Sequence, residues 1–156
     1  MRFLLCVVGG FALAGLYHSQ ASATPAQDCK KPVYLTFDTG HMAVAPVIAD
    51  ILARQKVVVT FFAANEKTKE GDGSLGEHWG GWWRERAKEG HEFASHTFNH
   101  VYWVADAGKD AFRVKPSAGS RQGETYILDR NGYCEELSQS SRRLQMLTGK
   151  LPLPLF

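Results

Sequence analysis

Apolar residues in this chain gather in short unbroken runs, and between the runs they recur only at helical spacing. The first run, Phe3 to Leu16, follows Arg2, is fourteen residues long and gives way to a polar stretch closing on Ala21-Ser22-Ala23. A membrane-spanning helix takes about 20 apolar residues, and small residues at the first and third of those closing positions suit a signal peptidase. Residues 1–23 are therefore expected to be a cleaved signal peptide. The mature chain is expected to be exported, periplasmic or secreted, with no membrane span left. Beyond it, Pro32 to Asp38 is short, aromatic and β-branched and ends in Thr39-Gly40, which predicts a buried strand and a tight loop. Val44, Val47, Ile48, Ile51 and Leu52 predict an amphipathic helix, with Pro46 tolerated in its first turn. Val57 to Ala63 predicts a second strand, Trp79 to Glu89 a second helix and His91 to His96 a third strand.

Strand, helix, strand, helix, strand is the rhythm of a parallel sheet in an α/β fold. The rhythm fails between about residues 105 and 131, where Phe112 to Pro116 and Glu124 to Asp129 predict a hairpin carried as an insertion. Tyr133 to Leu147 predicts a helix stopped by Gly149, and Leu151 to Phe156 the start of another strand. The composition, 44% hydrophobic and 22% charged, is that of a globular domain. The formal charge of +2 falls by one when Arg2 is removed, which argues against nucleic acid or an anionic membrane as the main partner. Cys29 and Cys134 remain in a compartment where disulfides persist, and their pairing is left open.

Candidate chemistry sits where the predicted strands end, because the loops of an α/β scaffold converge on one mouth there. Asp38 and His96 occupy two such ends, and His96 and His100 are spaced so that one helical turn would bring both imidazoles to one face. The segments Thr36-Phe37-Asp38-Thr39-Gly40, Thr60-Phe61-Phe62, Gly90-His91-Glu92 and Ser95-His96-Thr97-Phe98-Asn99-His100 occur in the order and strand context of the polysaccharide deacetylases. The chain resembles that family, also called the NodB-homology or carbohydrate esterase family 4 domain. The resemblance implies a distorted (β/α) barrel and hydrolysis of N-acetyl groups on amino-sugar polymers such as chitin, peptidoglycan or poly-N-acetylglucosamine. It implies Asp38 as general base, and His96 and His100 as ligands of a divalent metal of the zinc kind.

One departure stands inside the first motif. The family usually has Thr-Phe-Asp-Asp-Gly, with the second aspartate on the metal, and here that position is Thr39, a much poorer ligand. The arginine-proline motif and later histidine of the family are not evident either. Leu153 to Phe156 resembles the strand that leads into that motif, and residues 24–156 are fewer than the roughly 200 of a (β/α) barrel. The fold is therefore expected to be incomplete at its C-terminus, the N-terminal part of a deacetylase domain. A catalytically silent carbohydrate-binding protein of the same fold stays open as an alternative. His41 and His91 are read as non-catalytic, and Trp82 and Trp83 as core residues.

Overall fold

The computed structural model describes residues 31–156, so the expected signal peptide and Cys29 lie outside the described residues. Three parallel strands, β1 (Thr36–Asp38), β2 (Thr60–Ala63) and β3 (Glu92–Ser95), form one sheet in the order β1-β2-β3. The register sets Thr36 beside Thr60 and Thr60 beside Glu92. Helices α1 (Ala45–Gln55) and α2 (Gly80–Lys88) make the two crossovers. The strands are shorter than the apolar runs that announced them. Pairing of β1 with β2 begins only at Thr36, and Val33 and Tyr34 before it are exposed.

In α1, Pro46 sits in the first turn, where a missing N–H costs nothing. The buried face is Ala45, Ala49 and Leu52, whereas Val44, Val47 and Ile51 face outward. The expected apolar stripe is thus rotated, with two small residues rather than valines turned to the inside. Behind the sheet, Phe61 of β2 is the hub of an aromatic cluster. Trp82, Trp83 and His91 meet its ring edge-on at centroid distances of 5.5, 6.0 and 5.3 Å, and Phe93 stacks at 6.3 Å. Trp83 is fully buried, and its indole N–H donates to the Ser74 carbonyl at 2.8 Å.

After β3 the chain enters an antiparallel sheet of β4 (Val101–Asp106), β5 (Ala111–Pro116) and β6 (Tyr126–Asp129), in that order. The last two are the strands the hairpin pattern predicted, and β4 is an addition to it. Helix α3 (Arg130–Thr148) starts three residues earlier than its apolar pattern does. The cause is Asp129, whose carboxylate accepts the Gly132 N–H at 2.7 Å and caps the helix. Gly149 ends α3 in the left-handed region at φ 73°, a conformation glycine adopts without penalty. Leu144 and Leu147 of α3 complete the core, and the helix packs on α2 and β3.

Of the expected C-terminal strand, one bridge forms: Leu153 lies parallel to Ala94 and donates its N–H to Phe93 O at 2.7 Å. Among the described residues the parallel strands make an open sheet, so the architecture is α/β and a closed barrel is not formed by them. No helix among the described residues is long and apolar enough to cross a membrane.

His91 has a structural part in this core. It is 2% exposed, and its Nδ1 accepts the Val59 N–H at 3.1 Å, tying β3 to the approach of β2. Burial pushes its imidazole below the usual range, with Glu89 opposing the shift. The unfolded chain therefore binds a proton that the folded chain resists. His91 leaves stability intact above its unfolded value near 6.5 and subtracts from it as pH falls toward the lower folded value. His91→Asn, which keeps an acceptor and cannot titrate, is expected to lessen the fall of melting temperature between about pH 6.5 and 5. Melts of both chains across that window check it.

Candidate active site

The site is assembled at the carboxyl ends of the three parallel strands. Asp38 closes β1 with its carboxylate 63% exposed, and His96 follows β3 directly. Backbone hydrogen bonds carry the sheet one residue past each strand. Thr39 N–H donates to Phe62 O and His96 N–H to Ala63 O, both at 2.9 Å. This sets His96 Nε2 3.7 Å from Asp38 Oδ2, beyond a direct hydrogen bond yet close enough for one water to touch both. Burial pushes the His96 imidazole down, Asp38 pulls it up and His100 pushes it down again. The neutral ring, with a free lone pair, is the favoured form.

His100 reaches the same rim, but not through a helical turn. The segment from His96 to His100 is an irregular turn in which Thr97 and His100 have φ of 57° and 49°, a left-handed backbone that side chains disfavour. The strain is held by a ring of hydrogen bonds. Thr97 Oγ1 accepts the Val101 N–H at 2.6 Å. The Glu136 carboxylate of α3 accepts the Asn99 backbone N–H at 2.8 Å and its side-chain amide at 2.7 Å, and the Glu136 carbonyl accepts the Phe98 N–H at 2.9 Å. The end of β5 closes the other side, with Ser117 N–H donating to His100 O and Ala118 N–H to Asn99 O, both at 3.0 Å. Gly119 permits this approach. At φ 78° a Cβ would lie 2.1 Å from Asn99 Oδ1, so any other residue would strain the backbone and push the Asn99 side chain aside.

The outcome is an imidazole pair with ring centroids 4.8 Å apart, and Tyr102 of β4 has its ring 4.8 Å from His100. Asp38 thus lies beside His96, and His96 beside His100, along this rim. Thr39 takes a different part. Its hydroxyl donates to Ala64 O at 3.1 Å and accepts the Ala64 N–H at 2.8 Å, clamping the ends of β1 and β2 together. The hydroxyl is thus taken up by backbone, although Thr39 itself borders the cleft.

Two residues at the site carried no motif. Glu66, in the loop after β2, is buried, with its carboxylate on His100 Nδ1. Ser117, from the end of the hairpin, donates to Glu66 Oε1 at 2.6 Å. An open cleft of about 860 Å³ reaches these groups, with His41, Lys67, Tyr102 and Gln122 on its walls. His41 Nδ1 lies 3.0 Å from the Lys67 carbonyl, and Cys134 is exposed on α3.

The parallel α/β scaffold thus carries one carboxylate and two imidazoles at an open rim beyond its strand ends. The chain belongs to the polysaccharide deacetylase family, whose sequence profile matches residues 26–156. Its fold is similar to that of the catalytic domain of peptidoglycan N-acetylglucosamine deacetylase from Eubacterium rectale ATCC 33656, with a TM-score of 0.52 and 21% sequence identity. That likeness covers 85% of this chain and 46% of the other, so the chain spans about half the length of that domain.

Proposed function

We propose that this chain carries the hydrolytic rim of an exported deacetylase acting on N-acetylated amino-sugar polymers of the chitin, peptidoglycan or poly-N-acetylglucosamine kind. The observation that carries the reading is the meeting of Asp38, His96 and His100 at one rim, with Asp38 and His96 3.7 Å apart. Asp38 is the group able to take a proton from a water resting between them. The water oxygen then joins the acetamide carbon, the nitrogen takes up the proton that Asp38 removed as the C–N bond breaks, and acetate and the free amine result. Tyr102, 53% exposed beside His100, offers an aromatic face for a sugar ring.

A divalent ion fits this donor set in part. Among the described residues no group of three or more His, Cys, Asp or Glu side chains is placed to hold one. His96 and His100 suit zinc as two nitrogen donors, leaving the other positions to water or substrate. When bound, such an ion would polarise the acetamide carbonyl as a Lewis acid. The Thr39 clamp favours a second reading, a carbohydrate-binding protein without catalysis.

Acetate release from N-acetylglucosamine oligomers, followed beside Co²⁺ absorption spectra of the parent and of Thr39→Asp, separates the two. The deacetylase reading expects acetate from the parent and a tighter Co²⁺ complex in Thr39→Asp. Oligomer binding with no acetate from either chain is the outcome of the silent reading. Thr39→Asp should also lose about 1 kcal/mol of stability, because an ionised carboxylate cannot donate to Ala64 O.

A further inference from the structure

We propose that Glu66 and Ser117 form a positioning device that keeps the proton of neutral His100 on Nδ1, so that Nε2 is the nitrogen left with its lone pair. The functional consequence rests on the reading of His100 as an ion ligand; the tautomer stands on geometry alone. The Glu66 side chain is 9% exposed, and a carboxylate so placed needs donors. It has two on the same oxygen: the His100 Nδ1 edge and the Ser117 hydroxyl, the latter at 2.6 Å from Oε1. Ser117 Oγ is also 2.8 Å from His100 Nδ1, so the three polar atoms close a triangle. A carboxylate only accepts, and neutral imidazole has one donor and one acceptor nitrogen, so the nitrogen facing Glu66 carries the hydrogen. Among the described residues no hydrogen bond engages Nε2.

The device is anchored from three parts of the chain. Glu66 is fixed by Ser74, whose Oγ accepts its N–H at 3.1 Å and whose N–H donates to its carbonyl at 2.8 Å. Ser117 is fixed by its N–H on His100 O, and His100 by its left-handed backbone. Handing the second ring nitrogen to a carboxylate orients a ligating histidine and makes it more basic, and losing such a partner typically costs about 10- to 100-fold in metal affinity. The family's carboxylate at position 39 would be an ion ligand itself. Glu66 acts through His100 instead, and so is a positioning residue.

Long-range ¹H–¹⁵N correlation spectra of the imidazoles, recorded at about pH 8, above the ordinary histidine range near 6.5, read the tautomer directly, with His100→Gln assigning the signals. The expected result is Nδ1–H for His100 in the parent and in Glu66→Gln, whose amide oxygen still accepts, and a shift toward Nε2–H in Glu66→Ala. Nε2–H in the parent, or Nδ1–H persisting in a folded Glu66→Ala, overturns the proposal. Where Glu66→Ala fails to fold, the parent spectrum decides alone. Co²⁺ titration adds the link to the ion: weaker binding by Glu66→Ala, about 10- to 100-fold, supports the device and the ligand reading together. A tautomer change in a chain that binds no Co²⁺ supports the device and removes the ligand reading.

Discussion

Replacing Trp83 with alanine is expected to lower the unfolding free energy by about 3–5 kcal/mol, a large share of the roughly 5–15 kcal/mol that holds a domain together. The indole is fully buried and meets Phe61, Trp82 and Phe93 edge-on at 6.0, 4.7 and 5.9 Å, so its removal opens a cavity against three rings at once. It also strips the Ser74 carbonyl of its donor. Ser74 in turn holds Glu66, so damage in the core reaches the rim. Trp83→Phe separates the two effects. It keeps a ring, loses the N–H and is expected to cost about 1–3 kcal/mol for the unsatisfied carbonyl, plus a smaller packing loss. Urea unfolding of the three chains, read by far-ultraviolet circular dichroism, measures both steps.

Asp38→Asn is expected to reduce acetate release from N-acetylglucosamine oligomers by about 10²- to 10⁴-fold, the range typical of losing a general base. Stability should stay within about 0.5 kcal/mol, as for other exposed sites without structural partners. The carboxylate is 63% exposed, and 3.7 Å from His96 it makes no direct hydrogen bond whose loss would loosen the fold. Asparagine keeps the shape and cannot accept the proton of water. Equal rates in parent and variant would remove Asp38 from the chemistry, whatever becomes of His96 and His100.

The parallel sheet was legible because continuous apolar runs and helical spacing speak directly for βα units, whereas the hairpin strands at 111–116 and 126–129 show only the alternation of Phe112-Arg113-Val114-Lys115 and the short run Tyr126 to Leu128. Strand β4 was not legible. It follows the histidine motif at once and exposes Tyr102, Trp103 and Val104 in succession, so no alternation marks it. At the site, Asp38, His96 and His100 announce themselves because each lies at or near a strand end in a recognisable segment. Glu66, Ser117 and Glu136 do not. They lie 34, 17 and 37 positions from the site residues they touch, across pairings that no local pattern encodes. Thr39 is the mixed case: its chemistry could be read from its identity, whereas its engagement with Ala64 depends on strand ends meeting in three dimensions.

The antiparallel sheet has a practical consequence for engineering. Ser117, Ala118 and Gly119 press directly on the turn that bears both histidines, supplying two backbone donors and one hydroxyl. A minimal parallel core with β4 to β6 trimmed away would leave that left-handed turn without half of its scaffolding. In grafts between relatives, the histidine segment and the sheet behind it must travel as a single cassette.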